Sequence, residues 1–223
     1  AYIEIARKNG KSLLAAAIGL YLLIADGEEG AEVYASATKL EQAEIVWLDA
    51  VKMVQRSPEL RQFLRTFKSS IACGRTSSFF KPLAADSKKL DGLNPHGNVV
   101  DELHAHPERG LWDVLQSAMG ARRSPLTLAI TTAGHLDTES IGYEQHDYAQ
   151  KILDGEFEDD TFFAFIAAAD PDEDHFTDVA LEKANPNIDV SAKRDYLHAQ
   201  AAKARRLPNA MPEYLTKHLN VWS

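Results

Sequence analysis

Hydrophobic residues at the start of the chain change their spacing within about ten positions. Residues 3–6 form a mostly apolar run typical of a buried strand, and residues 13–25 form a longer run, rich in alanine and leucine, typical of a core helix. A second strand is predicted over residues 32–37, and Thr38 and Glu41 then stand at the spacing of a capping box that opens an amphipathic helix. This βαβα order predicts a parallel sheet covered by helices.

The alternation continues along the rest of the chain. β-leaning residues predict two short strands joined by a hairpin across Gly74-Arg75, and the polar stretch before residue 98 has the composition of a loop. The elements predicted after residue 38 are, in chain order, a helix to Ser57-Pro58, short strands at 69–72 and 77–80, a strand at 98–100, a helix at 110–119, a strand in the run 126–134, a helix at 140–153, a strand at 161–167, and helices at 177–184, 191–205 and 212–219.

Composition narrows the classes of protein without selecting one. The chain has 223 residues, 45% hydrophobic and 26% charged, which suits one large α/β domain or one domain with a small appendage. A net charge of -9 disfavours a broad basic face for nucleic acid, but it allows DNA held by a few local lysines and arginines. The single cysteine, Cys73, excludes an internal disulfide and suits a reducing cytoplasm. No apolar run predicts a membrane span, and the sequence begins inside a predicted strand, so we expect a fragment of a longer protein.

The turn between the first strand and the first helix carries the clearest chemical pattern. Residues 7–12, Arg-Lys-Asn-Gly-Lys-Ser, termed the phosphate loop, match the end of the pattern G-x-x-x-x-G-K-[ST], although Ile5 stands at the first glycine position. We expect Gly10 to let the backbone approach an anion, Lys11 to reach the β- and γ-phosphates, and Ser12 to bind Mg²⁺ at the helix N-terminus. The nucleotide-binding residues predicted in this loop are Arg7, Lys8, Asn9, Gly10, Lys11 and Ser12.

An acidic pair follows the strand at 98–100. A carboxylate in this position holds Mg²⁺, usually through water, and a second one orients and deprotonates the attacking water. We therefore predict Asp101 as a metal ligand and Glu102 as the catalytic base. For His104 and His106 we favour hydrogen bonding over a zinc site, since no further cysteine or histidine lies at ligand spacing.

Small hydroxyl residues end the strand predicted in the run 126–134. Thr131 and Thr132 can contact the γ-phosphate or its water and report its loss to the rest of the domain. The acidic loop at 170–174 is similar to the start of a calcium loop, but His175 and Leu181 occupy the positions that need Gly and Glu, which favours a solvated loop.

Taken together and in this order, these patterns resemble the large terminase subunits of tailed bacteriophages. The resemblance covers essentially the whole chain, and its specificity comes from the set of motifs. The segments that carry it are residues 7–12, 33–38, 42–43, 90–95, 99–104, 130–134, 183–187 and 219–222.

The resemblance implies the ATPase part of a motor that pumps double-stranded DNA into a preformed capsid. The implied fold is an α/β P-loop NTPase of the RecA-like (ASCE) class. A mainly parallel central sheet flanked by helices is expected over residues 1–169, and a small helical linker subdomain over residues 170–223. ATP and Mg²⁺ are the implied cofactors. The implied partners are double-stranded DNA, the portal protein, the small terminase subunit and further copies of the chain in a pentameric ring; the implied location is the host cytoplasm, at the procapsid portal vertex, with no membrane.

Two parts of the family are expected to be missing from this chain. The family's adenine-contacting segment lies upstream of the first strand, and its nuclease domain follows the ATPase. We therefore expect no DNA cleavage by this chain.

The resemblance also assigns roles to basic and hydroxyl residues. Arg7 matches the family's loop arginine, as a γ-phosphate sensor or a finger acting in cis, and Thr131 and Thr132 match the coupling motif. The residue that a neighbouring subunit supplies as an arginine finger is left unassigned. Relatives often have arginine where this sequence has lysine, and lysine lacks the guanidinium group that can bind two phosphate oxygens at once. The finger candidates are Lys88, Lys89, Arg109, Arg122 and Arg123. The candidate DNA contacts, each also explained by a solvated loop, are Lys81, Lys88, Lys89, Arg122 and Arg123.

Two other functions compete with the motor. Asp101-Glu102-Leu103-His104 also fits the box of Asp-Glu-x-His helicases, but a helicase needs a second RecA-like domain, and the residues after Gly155 are too few and too helical for one. A non-catalytic scaffold that binds nucleotide only to assemble is the second alternative, and the intact Glu102 argues against it.

Overall fold

The computed structural model describes residues 1–84, 92–106 and 108–223. The strands and helices are, in chain order, β1 (Tyr2–Ile5), α1 (Lys11–Ile24), β2 (Glu32–Ala37), α2 (Leu40–Arg56), α3 (Leu60–Phe63), β3 (Leu64–Thr66), β4 (Ile71–Cys73), β5 (Ser78–Ala84), β6 (Pro95–Asp101), α4 (Gly110–Ser117), β7 (Leu126–Thr131), α5 (Ile141–Leu153), β8 (Ala164–Ala167), α6 (Asp178–Ala184), α7 (Arg194–Arg206) and α8 (Met211–His218). Short 3-10 turns lie at Leu103–Ala105, Ala118–Ala121 and Pro208–Ala210.

The chain forms two compact units. The first unit comprises Ala1, Ser12–Glu102 and His106–Ile130, and the second comprises Tyr2–Lys11, Leu103–Ala105 and Thr131–Ser223. The predicted boundary between residues 1–169 and 170–223 stays a prediction.

The first unit is built on a sheet with the strand order β3-β4-β5-β2-β6-β7. β2 pairs in parallel with β5 and β6, β6 pairs in parallel with β7, and β3, β4 and β5 pair antiparallel. β6 is buried along its whole length, as expected for a strand covered on both faces. α1 approaches the sheet closely at Gly19, where a Cβ would lie 2.7 Å from the Phe80 ring. The mixed sheet with its flanking helices confirms the predicted α/β fold class.

The second unit contains the parallel pair β1 and β8, with Tyr2 opposite Ala164. α5 packs on both strands. The helices α6, α7 and α8 share a core of mostly small and aliphatic residues, which include Ala180, Leu181, Ala184, Leu197, Ala201, Ala204, Tyr214 and Leu219. The predicted helical character of the C-terminal region is therefore confirmed.

Two local predictions have different outcomes. The hairpin across Gly74-Arg75 is confirmed, since β4 and β5 pair antiparallel with Cys73 opposite Ser78. The capping box at Thr38 is wrong: Lys39 is the N-cap of α2 and makes no side-chain cap, while the Thr38 hydroxyl donates to Gln42 Oε1 at 2.8 Å. In the described part of the chain, none of the helices is long and apolar enough to span a lipid bilayer.

Candidate functional site

The phosphate loop connects the end of β1 to the start of α1, as its sequence predicts. Lys8 and Gly10 adopt left-handed backbone conformations, with φ values of 69° and 83°. A Cβ on Gly10 would lie 3.6 Å from Asn187 Nδ2, an ordinary contact, so the glycine is needed for its backbone conformation rather than for space. Lys11 and Ser12 are the first two residues of α1, and the N–H groups and dipole of a helix N-terminus favour an anion.

The Lys11 side chain turns back onto its own loop. Its ammonium donates to the carbonyl oxygens of Ile5, at 2.5 Å, and Ala6, at 3.2 Å, and the residue is only 8% exposed. A buried ammonium needs compensating acceptors. Loop carbonyls supply them here, and phosphate oxygens are acceptors of the same kind with a full negative charge.

A C-terminal segment, residues 185–191, is hydrogen-bonded to the phosphate loop. The Asn9 amide donates to Asn185 Oδ1 at 2.8 Å, and the Asn187 backbone N–H donates to Asn9 Oδ1 at 3.0 Å. The Ser191 hydroxyl donates to the Lys8 carbonyl at 2.5 Å. Asn185 is fully buried, so its hydrogen bond with Asn9 holds the loop against the interior of the second unit.

Arg7 contacts the same C-terminal region. Its backbone N–H donates to the Lys217 carbonyl at 3.0 Å. Its side chain lines a cavity of about 300 Å³, whose other lining residues are Lys8, Ser191, Ala192, Lys193, Tyr196, Leu197 and His218. Burial lowers the pKa of His218, Glu213 opposes this shift, and Arg7 adds to it.

Asp101 and Glu102 stand at the carboxyl end of β6. Asp101 is 5% exposed, and its Oδ1 accepts the Glu102 N–H at 2.8 Å. That N–H also donates to the Ile130 carbonyl at 2.9 Å. Glu102 has a φ of 53°, a conformation that costs a residue with a Cβ about 1–3 kcal/mol and that clusters at functional sites. His106 donates its Nε2 proton to the Asp101 carbonyl, and burial lowers the pKa of this histidine.

Thr131 and Thr132 are fully buried at the end of β7. Thr131 Oγ1 accepts from the His104 backbone N–H at 3.0 Å and is 2.9 Å from His104 Nδ1, and it donates to the Thr132 carbonyl at 3.0 Å. The Lys217 ammonium lies 2.9 Å from His104 Nε2. The hydrogen-bonding role expected for His104 and His106 is therefore confirmed.

The candidate finger and DNA-contacting residues differ in their surroundings. The Arg122 guanidinium donates to the Asn94 and Gly30 carbonyls, each at 2.7 Å, and its side chain is only 8% exposed. This argues against Arg122 in either role, since both need an accessible guanidinium. Arg109 pairs with Asp113 at 3.0 Å on the surface. The remaining candidates comprise the exposed residues Arg123 and Lys81 and, outside the described residues, Lys88 and Lys89.

Sequence reasoning missed a buried carboxylate in β1. Glu4 is fully buried, accepts from the Tyr2 hydroxyl, Asn220 Nδ2 and Trp222 Nε1, and is 3.0 Å from His146 Nδ1. Burial, followed by Glu4 itself, raises the pKa of Tyr2. The acid inside an apolar strand was a signal for this site in the sequence. Lys217 gave no such signal, because basic residues are common in the last turn of a helix.

Comparison with known proteins identifies the family. The model of the terminase large subunit ATPase domain matches residues 1–151, and that of the terminase large subunit endonuclease domain matches residues 156–223. The expectation of no nuclease activity is therefore not confirmed, and the region interpreted as a linker falls within the second match.

Two individual proteins are similar in sequence to this chain. Protein YmfN of Escherichia coli (strain K12) is 40% identical over 133 residues, which is 60% of this chain and 29% of that protein. The large terminase subunit of Enterobacteria phage HK97 is 28% identical over 228 residues, 99% of this chain and 44% of that protein. The chain thus spans less than half the length of either relative.

Solved structures confirm the fold. The crystal structure of the HK97 large terminase matches with a TM-score of 0.88 at 26% identity, over 99% of this chain and 46% of that chain. The ATPase domain of the large terminase of Thermus phage P74-26 matches with a TM-score of 0.66 at 16% identity, over 99% of this chain and 88% of that one. The chain belongs to the family of terminase large subunits, whose ATPase domain its first 151 residues match.

Proposed function

We propose that the chain binds Mg²⁺ and ATP and hydrolyses the bond between the β- and γ-phosphates of ATP. The observation that carries this proposal is the phosphate loop, with left-handed Lys8 and Gly10 and with Lys11 at the start of α1. The large terminase of a thermophilic bacteriophage, a neighbour in fold with a TM-score of 0.51, was solved in complex with ADP. That complex supports a nucleotide as the ligand of the loop.

The residues of the loop have distinct roles in this proposal. Backbone N–H groups of residues 8–12 bind phosphate oxygens, and the Lys11 ammonium exchanges its loop carbonyls for the β- and γ-phosphates. Arg7 senses the γ-phosphate or stabilises its developing charge in cis.

Ser12 and Asp101 are the proposed ligands of Mg²⁺. Both belong to the first unit and offer oxygen atoms, the ligands that Mg²⁺ prefers. When bound, the ion would neutralise charge on the β- and γ-phosphates. The Glu102 backbone N–H donates to Asp101 Oδ1, which fixes the orientation of that carboxylate.

Glu102 is the proposed general base. Its carboxylate orients water for attack on the γ-phosphorus and accepts the proton that the water loses. Thr131 and Thr132 respond to the loss of the γ-phosphate in this proposal. The hydrogen bonds of Thr131 to the His104 N–H and the Thr132 carbonyl support this coupling role, because a displacement of Thr131 would also displace its partners.

Family membership supports a DNA-packaging motor. The proposed partners are double-stranded DNA, the portal protein, the small terminase subunit and other copies of this chain in a ring of five, in the host cytoplasm at the portal vertex. We further propose that ATP hydrolysis, and not DNA cleavage, is the activity of this chain. Arg109, Arg123, Lys88 and Lys89 remain the candidates for a finger acting in trans.

ATP turnover per subunit, measured over a range of chain concentrations with and without double-stranded DNA, tests this function. Turnover that rises with concentration is expected, because a neighbouring subunit completes the site. Turnover independent of concentration would favour a helicase-like enzyme with all its catalytic groups in one subunit. Nucleotide binding without turnover at any concentration would leave a scaffold.

A further inference from the structure

Lys217, in the last turn of α8, contacts two functional segments of the second unit. Its backbone carbonyl accepts the Arg7 N–H of the phosphate loop at 3.0 Å. Its ammonium lies 2.9 Å from His104 Nε2, 3.4 Å from the Ala133 carbonyl and 3.5 Å from Thr132 Oγ1. One residue therefore contacts both the loop that would bind phosphate and the end of the strand that would report its loss.

The hydrogen bonds that run from Lys217 through His104 and Thr131 to Thr132 have one consistent assignment of donors and acceptors. An ammonium can only donate, so His104 Nε2 accepts from Lys217 and the ring proton lies on Nδ1. Nδ1–H then donates to Thr131 Oγ1, and the Thr131 hydroxyl donates to the Thr132 carbonyl. In this arrangement each group meets a partner of the opposite kind, and a displacement of Lys217 removes the ammonium that donates to His104 Nε2.

The path is anchored at both ends. Thr131 and Thr132 are fully buried, so neither can follow a displaced partner into solvent. At the loop end, the Asn185 amide donates to the His218 carbonyl, next to Lys217, while Asn185 Oδ1 accepts from Asn9. A shift of the loop is therefore transmitted to the C-terminal end of α8 by two independent hydrogen-bonded connections.

We propose that Lys217 is a positioning residue that couples the state of the phosphate loop to Thr131 through His104. The inference rests on the proposed ATPase function and deepens it by naming the connection between the loop and the coupling motif. Its physical content is a coupling free energy between Lys217 and His104, which a double-mutant cycle of these two residues measures directly.

Two substitutions remove the connection at different points. Lys217→Met removes the ammonium but keeps the backbone carbonyl and an unbranched side chain of similar reach. His104→Asn keeps a polar atom near the Nδ1 position for Thr131 and loses the acceptor for Lys217. Lys203→Met, an exposed lysine on α7, is the matched control, and Lys217→Arg tests rescue by a second cation.

We expect Lys217→Met and His104→Asn each to lower kcat for ATP about 10-fold and to leave the Kd of Mg·ATP within about 3-fold. The double variant is expected to be no slower than either single one, Lys217→Arg to recover part of the rate, and Lys203→Met to match the parent chain. Losses that multiply in the double variant, or a parallel loss of rate and thermal stability in all variants, would overturn the coupling.

A readout independent of turnover is the ¹⁵N NMR spectrum of the His104 ring. The parent chain is expected to show a neutral ring protonated on Nδ1, whose signals shift when Mg·ATP is added, and Lys217→Met is expected to abolish that shift while still binding nucleotide. A shift that persists in Lys217→Met would contradict the proposed path. A parent chain that binds no nucleotide would instead overturn the function on which the inference rests.

Discussion

The phosphate loop and the acidic pair are held in place in different ways. Asn9 of the loop donates to the nearby Ala6 and Arg7 carbonyls, and it is also hydrogen-bonded to Asn185 and Asn187, 176 and 178 positions away in the sequence. The backbone N–H of Glu102 is bound by its immediate neighbour Asp101 and by Ile130 of the paired strand. The loop therefore depends on the C-terminal part of the chain, whereas the acidic pair depends on its own strands.

This difference separates two kinds of substitution. Changes in residues 185–191 are expected to alter the loop, and with it nucleotide affinity. Changes around β6 and β7 are expected to alter the acidic pair, and with it the rate of hydrolysis at a given occupancy. Substitutions at Lys11, Asn185, Glu102 and His218 test this separation, and their expected effects decrease in that order.

Lys11→Met removes the ammonium proposed to bind the β- and γ-phosphates. A hydrogen bond to a charged group contributes about 1.5–3 kcal/mol, so we expect the Kd of Mg·ATP to rise by about 100-fold. Lys52→Met, at an exposed lysine that pairs with Asp49, is the matched control. Fluorescent-nucleotide titration measures both, and an unchanged affinity in Lys11→Met would contradict phosphate binding at the loop.

Asn185→Ala tests whether the loop depends on the distant segment. The substitution removes one acceptor of the Asn9 amide, which keeps the Ala6 and Arg7 carbonyls, and it removes the side-chain donor to the Leu181 and His218 carbonyls. We therefore expect a destabilisation of about 2–3 kcal/mol and weaker nucleotide binding. Asn209→Ala, at an exposed position outside that segment, is the control. Denaturant unfolding and nucleotide titration would show equal effects of the two substitutions if the dependence were absent.

Glu102→Gly tests the local strain in the acidic pair. Glycine adopts a φ of 53° without the penalty of a Cβ, so we expect the free energy of unfolding to rise by about 1 kcal/mol while ATP turnover is lost. Glu102→Gln keeps the Cβ and is expected to lose turnover with no gain in stability. Thermal or denaturant unfolding distinguishes them, and a Glu102→Gly variant less stable than Glu102→Gln would refute the strain.

The pH dependence of stability tests the buried His218. Burial lowers the folded-state pKa of His218 from 6.5. Below about pH 6.5 the unfolded chain therefore binds more protons than the folded chain, and the free energy of unfolding falls as the pH falls. Above about pH 6.5 the contribution of His218 to stability is fully present. We expect His218→Asn to flatten the acid side of the profile, while the buried His106 leaves some slope. His135→Asn, at an exposed position, is expected to change nothing.

Local features of the site could be predicted from the sequence. The phosphate loop, the strand ending in Asp101-Glu102 and the position of Thr131 each follow from a short pattern whose chemistry and backbone are set by neighbouring residues. The error at Thr38 is also local: its hydroxyl bonds the Gln42 side chain, which competes with the cap.

The support of the loop could not be predicted in this way. Asn185-Pro186-Asn187 indicates a helix break, and nothing in its composition says that its amides meet Asn9. The same holds for Lys217, whose partners are brought to it only by the packing of α8. Contacts between residues so far apart depend on the whole fold, which local pattern does not encode.

The proposed function requires ATP to bind at the loop and Glu102 to activate the water that hydrolyses it, and one experiment separates these two steps. Mg·ATP affinity and single-turnover phosphate release are measured on the same samples of the parent chain, Glu102→Gln and the control Glu108→Gln, an exposed acid nearby. We predict that Glu102→Gln binds Mg·ATP within about 3-fold of the parent but releases phosphate at least about 100-fold more slowly, and that Glu108→Gln matches the parent. Phosphate release by Glu102→Gln at the parent rate would contradict the assignment of the base and the mechanism built on it.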